Sequence, residues 1–137
     1  MKKFFYFTIL LFVQASYSQT YTFNKISEHK YNENKKEFVL IEGTTEFSKT
    51  IVFVDEIEKT IKISRKFVAS NSTEVFDTAE TYYFVKKETI QNFASKYFAV
   101  DLNNKKYLEI MISKDEAAIL ENCNGFNGCE TLILFNN

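Results

Sequence analysis

A chain of 137 residues with 45% hydrophobic and 26% charged residues is long enough for one domain with a substantial core. Its formal net charge of −1 lacks the basic excess that is typical of a nucleic-acid-binding protein. The absence of proline and the presence of only three glycines exclude Pro-rich or Gly-rich linkers and low-complexity tails.

Residues 1–18 have the features of a secretory signal peptide. Two lysines open the chain, an apolar run follows over 4–13, and small residues precede a cleavage point before Gln19. The apolar run is shorter than the roughly 20 residues that span a bilayer, which disfavours the alternative of a membrane anchor. We therefore expect one mature domain over 19–137, secreted or periplasmic, without a transmembrane segment.

Short runs rich in aromatic and β-branched residues recur along the mature chain. In one of them, Ile61, Ile63 and Phe67 alternate with polar residues, as in a strand with one buried face. Nine such runs lie near 20–27, 36–42, 50–55, 59–68, 80–86, 96–102, 106–113, 117–122 and 130–135. They predict an all-β fold, an antiparallel meander forming a barrel or sandwich of about eight strands. Because glycine is scarce, we expect asparagine to occupy positive-φ positions in the turns.

Three of these runs are apolar on both faces and therefore need cover on both sides. A two-layer core with a covering loop would supply that cover. If one sheet face stays uncovered, the pattern instead predicts an apolar contact patch for a partner or a membrane. Its members would be Val39, Ile41, Val52, Val54, Ile133 and Phe135.

Strand parity constrains the late hairpins, because a slip of one residue moves an apolar set to the wrong face. A three-residue turn at 103–105, with Asn104 in the left-handed region, predicts one nearly apolar face. Its facing pairs are Leu102 with Lys106, Val100 with Leu108, and Phe98 with Ile110. A turn at 114–116 likewise pairs Ile112 with Ala118 and Ile110 with Leu120.

The two cysteines, Cys123 and Cys129, suit a structural disulfide. The segment between them is rich in residues that permit positive φ, and an exported protein can keep a disulfide. Pairing them also brings Leu120 opposite Leu132 and Ala118 opposite Leu134. The alternatives are a redox pair or a metal pair, but five intervening residues match neither spacing.

The segment 88–97 is open to two interpretations. Ile90, Phe93, Ala94 and Tyr97 follow a helical i, i+3, i+4, i+7 pattern. One short helix there would plug the end of a barrel. Otherwise the segment is a loop that leads into the strand near 96.

The sequence contains no motif that is typical of catalysis or metal binding. His29, the only histidine, lies in a polar stretch that we interpret as a solvated loop, and no nucleophile-elbow motif accompanies it. Asp55, Glu56 and Glu58 lack the spacing of a calcium loop. We expect no catalytic residue, no metal site and no cofactor, and a hydrolase ranks last among the functions considered.

Arg65 is the one candidate ligand-binding residue. It falls on the apolar parity of its strand, in line with Ile61, Ile63 and Phe67. An arginine inside a small barrel is costly unless it is paired, and a ligand carboxylate or phosphate fits its fork geometry. The alternative is that Arg65 lies at the sheet rim, or that a bulge turns it outward.

The chain resembles small exported β-proteins of Bacteroidota, largely uncharacterised and in part lipocalin-like. The resemblance rests on the signal ending in Ser18-Gln19, on the runs 51–55 and 60–63, and on the late hairpins. It implies export and a meandering β-fold. The Gly-x-Trp signature of lipocalins is missing because the chain has no tryptophan, so no functional residue is carried over.

These observations favour an exported, non-catalytic module that binds a small apolar, amphipathic or anionic ligand. The alternative is a protein-interaction or envelope-associated module that uses an apolar sheet face. No nucleic-acid partner is expected. A cavity reached by Arg65 would favour the first function, and an uncovered sheet face would favour the second.

Overall fold

A computed structural model describes residues 18–68, 75–91, 94–103, 105–123 and 128–137. The predicted signal peptide, apart from its last residue, lies outside the described residues. Within these residues nine strands follow one another, in agreement with the nine predicted runs. They are β1 (Ser18–Asn32), β2 (Glu37–Leu40), β3 (Glu46–Asp55), β4 (Thr60–Val68), β5 (Val75–Thr89), β6 (Ser95–Asp101), β7 (Lys106–Ile112), β8 (Glu116–Cys123) and β9 (Cys129–Asn136).

The strands form an antiparallel barrel that closes between the first and the last of them. Each strand from β3 to β9 pairs with the next, and β9 pairs with β1 from Lys25 to Lys30. Eight strands complete the barrel, and the short β2 extends the same edge of β1 beyond β3. The all-β prediction is confirmed, and the closed pairing makes the fold a barrel rather than a sandwich.

Alternate side chains from every barrel strand meet in one interior core, as the period of two in a strand requires. The most deeply buried include Phe23, Val52, Val54, Ile61, Tyr97, Ile110 and Phe135. The predicted contact patch therefore does not form. Val52, Val54 and Phe135 are at most 1% exposed inside the barrel, whereas Val39 and Ile41 lie on the surface at 36% and 37% exposure.

The two late hairpins are shifted by one residue from the predicted registers. Tyr97 faces Ile110 and Ala99 faces Leu108, so Phe98 lies outside opposite Glu109. The observed register keeps Leu108 and Ile110 in the core and leaves Lys96 and Glu109 outside, where Lys96 Nζ is 3.0 Å from Glu109 Oε2 and 5.1 Å from the Phe98 ring centroid. Phe98 thus packs beneath an ion pair on the outer surface, which parity alone does not reveal.

The next hairpin is shifted in the same sense. Ile112 faces Ala117 and Ile110 faces Ile119, so the predicted partners Ala118 and Leu120 point outward. The reason is a tight turn in which the Ser113 N–H donates to the Glu116 carbonyl at 2.8 Å. The two-residue turn leaves Glu116 in the strand, where the prediction had placed it in the turn.

The predicted disulfide is confirmed. The Sγ atoms of Cys123 and Cys129 are 2.02 Å apart. The predicted register is also confirmed, with Leu120 opposite Leu132 and Ala118 opposite Leu134. These four apolar side chains share the outer face of the barrel, however, because Ile119 and Phe135 occupy the interior parity.

Three hairpin turns are stabilised in the same way, and none of them has the predicted asparagine at its positive-φ position. The side chains of Asn32, Asp55 and Asp101 accept backbone N–H bonds from the turn, with distances from 2.9 to 3.1 Å. The positive-φ residue four positions later is a lysine in each case, at Lys36, Lys59 and Lys105. Among the described residues, Asn122 in β8 is the one asparagine with positive φ, and Asn104 lies outside them.

The helical interpretation of 88–97 is wrong. β5 continues to Thr89 and β6 begins at Ser95, so both ends of the segment are paired strands. The Ile90 N–H donates to the Ala94 carbonyl at 2.9 Å, which joins the two ends of the connection. Strand pairing with neighbours overrides the short helical pattern, as is common for short apolar runs.

Candidate functional site at the polar end of the barrel

Inward-facing polar side chains gather at one end of the barrel. β4, β6 and β8 finish at this end, β5, β7 and β9 begin there, and the disulfide lies at the same end. We call it the polar end and define it by Arg65, Glu80, Tyr82 and Glu121. Arg65, Glu80 and Glu121 continue the interior parity of their strands beyond the apolar core, and Tyr82 is a core residue next to them.

Arg65 faces the interior, as its parity predicted. On β4 it lies between Thr50 of β3 and Thr78 of β5, and its side chain is 29% exposed. Its Nη2 atom is 4.0 Å from Glu80 Oε2, so a protein carboxylate is its nearest ionic partner. Because the pair is partly solvated, this salt bridge contributes only modestly to stability. The predicted role of Arg65 toward a ligand stays a prediction.

Tyr82 connects the polar end to the core. Its ring is buried, and its hydroxyl donates a 2.5 Å hydrogen bond to Glu80 Oε2. Burial raises the pKa of the Tyr82 hydroxyl, and the hydrogen bond to Glu80 raises it further. The same Glu80 oxygen therefore accepts the Tyr82 hydrogen bond and lies 4.0 Å from the Arg65 guanidinium, and the Glu80 side chain is 51% exposed.

Glu121 is an inward carboxylate without an ionic partner. It is half-buried opposite Thr131, and no described cationic atom lies within salt-bridge distance of it. Burial raises the pKa of the Glu121 carboxyl, and the nearby charge of Glu80 raises it further. The charges of Lys106 and Arg65 act in the opposite direction without restoring the ordinary pKa.

Two hydroxyls of β3 face the interior without partners. Thr50 is 0% exposed and Ser48 is 7% exposed. Among the described residues, neither Thr50 Oγ1 nor Ser48 Oγ has a hydrogen-bond partner. A buried hydroxyl is normally satisfied, and leaving one unpaired costs about 1–3 kcal/mol. Thr50 lies directly across from Arg65, so these hydroxyls belong to the same region as the charged groups.

The opposite end of the barrel is filled by an ion pair and an aromatic ring. Lys87 Nζ donates to Glu56 Oε1 at 2.5 Å, and the Tyr97 hydroxyl donates to the same oxygen at 3.3 Å. The hydrogen bond to Glu56 raises the pKa of the Lys87 ammonium. Glu56 belongs to the turn between β3 and β4 and thus links that turn to Lys87 of β5, while Asp55 shapes the turn itself.

His29 lies in a strand rather than in the predicted solvated loop. On β1 it pairs with Leu132 on one side and Leu40 on the other, and its Nε2 atom is 3.0 Å from Ser27 Oγ. Ser27 is only 4% exposed, and within the described residues no carboxylate hydrogen-bonds His29. The pair therefore lacks the orienting acid and the accessible nucleophile of a catalytic triad.

Reasoning from the sequence identified one member of the polar end and missed the others. Glu80 and Tyr82 share the parity of Phe84, a signal that was available. Glu121 was hidden because the predicted register of β8 put Leu120 on the inner face. Thr50 carried no signal, since a threonine in a strand is ordinary.

The described part of the chain contains no group of three or more His, Cys, Asp or Glu side chains arranged to hold a metal ion. It also contains no helix long and apolar enough to cross a membrane. Comparisons with protein-family models, with curated proteins and with solved structures found no match for this chain.

Proposed function

We propose that this protein is an exported, non-catalytic binding module that holds a small amphipathic ligand in the polar end of its barrel. Eight-stranded barrels have interiors that either fill with side chains or hold one small ligand. Here the core and the Glu56–Lys87 pair occupy the opposite end, which leaves the polar end as the binding region.

The observation that carries the proposal is the unpartnered hydroxyl of Thr50. A fully buried hydroxyl that lies opposite Arg65 is a position where a ligand atom or a bound water completes the hydrogen bonding. Apolar walls with a few convergent polar groups are the usual composition of a small-molecule site. Phe23, which faces Thr50 across β1 and β3, supplies such a wall.

The proposed location outside the cytoplasm has two supports. Residues 1–18 have the charge, apolar run and small-residue exit of a signal peptide. The Cys123–Cys129 disulfide is of a kind that persists in oxidising compartments. The resemblance to exported lipocalin-like proteins agrees with both.

A blocking substitution tests the proposed site. Thr78 is exposed and faces the interior opposite Arg65, so Thr78→Trp places an indole in the polar end. Ala79 is its exposed neighbour with the opposite parity, which makes Ala79→Trp the matched control. We expect saturable, one-site binding of the neutral probe N-phenyl-1-naphthylamine by the wild type and by Ala79→Trp, measured by fluorescence. Equal binding by Thr78→Trp would place the site elsewhere.

A second candidate function is protein interaction through the outer face of β7, β8 and β9. Five apolar side chains lie next to one another there, namely Met111, Ala118, Leu120, Leu132 and Leu134. Ala118 is only 8% exposed although it points away from the core, which shows how closely its neighbours crowd it. An apolar surface of this kind is typical of a contact with another protein.

The interaction candidate has its own test, which does not depend on the barrel interior. Replacing Leu134 with lysine interrupts the outer apolar face, whereas Lys62→Glu changes a charge on the outer face of β4. Light scattering after size-exclusion chromatography, over a range of concentrations, reports self-association. Loss of a dimer in Leu134→Lys alone would support the candidate, and a wild type that stays monomeric throughout would count against self-association.

A further inference from the structure

We propose that two copies of this protein pair through the free edge of β2, so that one sheet runs from barrel to barrel. The inference goes beyond ligand binding and does not depend on it. β2 pairs with β1 along one edge, and along its other edge it has no partner among the described residues. An unpaired strand edge presents a row of N–H and C=O groups that fits another extended strand.

The free edge of β2 is apolar. Val39, Leu40 and Ile41 are exposed, and no proline, lysine or bulge interrupts residues 38–41. The ring of Phe38 packs edge-on against Tyr31 of β1, with ring centroids 5.4 Å apart. The strand is therefore held in place from the β1 side, while its other edge lacks the charges and kinks that usually prevent pairing.

The hydrogen bonds of the β1–β2 hairpin identify the backbone groups that point to the free edge. The Ile41 N–H donates to the Glu28 carbonyl of β1 at 2.9 Å. Since alternate residues of an antiparallel strand direct their backbone groups to the same side, Val39 also bonds to β1. The N–H and C=O groups of Phe38 and Leu40 therefore point away from β1.

A second copy matches these groups in one antiparallel register with two-fold symmetry. When Val39 of the two copies lie opposite each other, Phe38 of each copy faces Leu40 of the other, and all edge-facing backbone groups of both residues are paired. The same register brings Lys36 of each copy to Glu42 of the other. A register centred on Phe38 puts Lys36 opposite Leu40, and one centred on Leu40 puts Glu42 opposite Phe38. Neither charge then meets its complement.

The charges that flank β2 are available for this contact. Lys36 and Glu42 are exposed, and within the described residues no salt bridge includes either of them. Six residues separate them, roughly 20 Å along an extended strand, so they do not pair within one copy. Their complementarity is thus that of a contact between identical chains. Because few residues take part, we expect a dimer that dissociates on dilution from millimolar to micromolar protein.

A charge-exchange series tests the pairing of Lys36 with Glu42. Sedimentation equilibrium gives the dimer dissociation constant of the wild type, of Lys36→Glu, of Glu42→Lys and of the double variant. Each single variant brings like charges together at both ends of the contact, so we expect about tenfold weaker dimerisation at low ionic strength. The double variant restores opposite charges and should recover the wild-type affinity. Lys62→Glu makes the same change in net charge on β4 and should have no effect.

A cysteine pair tests the register itself. Residues opposite each other in a non-hydrogen-bonded antiparallel pair have Cα atoms about 4.5 Å apart, which a disulfide can bridge. Val39→Cys should therefore cross-link two copies under mild oxidation, as seen by non-reducing electrophoresis. The matched control is Glu37→Cys, which is also exposed and lies on the same face of β2. We expect at least about tenfold less cross-linking in this control, because the two substituted positions are then four residues out of register.

Each outcome decides for or against the proposal. Recovery in the double variant, together with preferential cross-linking of Val39→Cys, supports it. A wild type that stays monomeric at millimolar concentration overturns it, as does a double variant that dimerises as weakly as the single ones. A dimer that only Leu134→Lys abolishes places the contact on the outer face of β7, β8 and β9 instead. Equal cross-linking of the two cysteine variants overturns the register.

Discussion

Exchanging two adjacent residues of β8 for alanine tests which face of that strand points into the barrel. Ile119 is 3% exposed and faces Ile110 on β7 and Ile133 on β9. Leu120 is its half-buried neighbour on the outer face, opposite Glu109 and Leu132. Both substitutions remove three carbon atoms, so the difference between them reports the environment rather than the chemistry.

The expected costs follow from burial. Three buried carbons contribute about 2.4 kcal/mol of transfer free energy at about 0.8 kcal/mol each. At Ile119 a cavity term is added because the hydrogen-bonded barrel wall cannot collapse, which brings the loss to about 3–4 kcal/mol. At Leu120 about half of the transfer term applies and no enclosed cavity forms, so we expect a loss of about 1 kcal/mol.

Equilibrium unfolding in urea, followed by circular dichroism, measures the difference. With a slope of about 1–3 kcal/mol per molar urea, Ile119→Ala lowers the transition midpoint by at least about 1 M. Leu120→Ala shifts it by about a third as much. The slopes of both variants should match that of the wild type. A larger loss for Leu120→Ala would mean that β8 has the register expected from the sequence, with the opposite face inward, and would refute the packing described above.

Three further outcomes are expected from the same unfolding assay. Reduction of the disulfide, or Cys123→Ser, should lower the free energy of unfolding by about 2 kcal/mol, the chain-entropy value for so short a loop. An unchanged midpoint of the urea transition after dithiothreitol treatment would contradict this. Lys59→Gly should raise it by up to about 1 kcal/mol by relieving a left-handed backbone, whereas Lys62→Gly in the neighbouring strand should lower it. Glu121→Gln should be more stable than the wild type at pH 7. The raised pKa of Glu121 means that wild-type stability is lost as pH rises through the folded-state pKa. The greater stability of Glu121→Gln should therefore vanish by pH 4. A constant difference in the free energy of unfolding across that range would disprove the raised pKa of Glu121.

The positions of the strands were determined by local properties of the chain. Alternation such as Ile61-Lys62-Ile63 needs only that one face is buried, so each run was recognisable without knowing its neighbours. The disulfide was similarly local, because Cys123 and Cys129 are separated by a short segment with permissive residues. The turn signal was also present, as an Asn or Asp followed four residues later by Lys, but it was not recognised.

The choice of inner and outer faces was decided only by the tertiary structure. Phe98 and Leu120 are apolar enough for the core, yet the registers of their hairpins place them outside. A shift of one residue is invisible to composition, because both faces of these strands carry apolar residues. Packing against the other strands of the barrel determines which face of each strand points into the core.

The polar end is likewise a product of barrel closure. Thr50 and Arg65 face each other across the hairpin of β3 and β4, whereas Glu121 belongs to β8. Glu121 shares their interior only because β9 returns to pair with β1, a contact between the two ends of the chain that no local pattern encodes. The sequence by itself determined where strands form and which cysteines join. Closure decided which polar groups face one another, because the sign and burial of a site depend on residues contributed by strands distant in the chain.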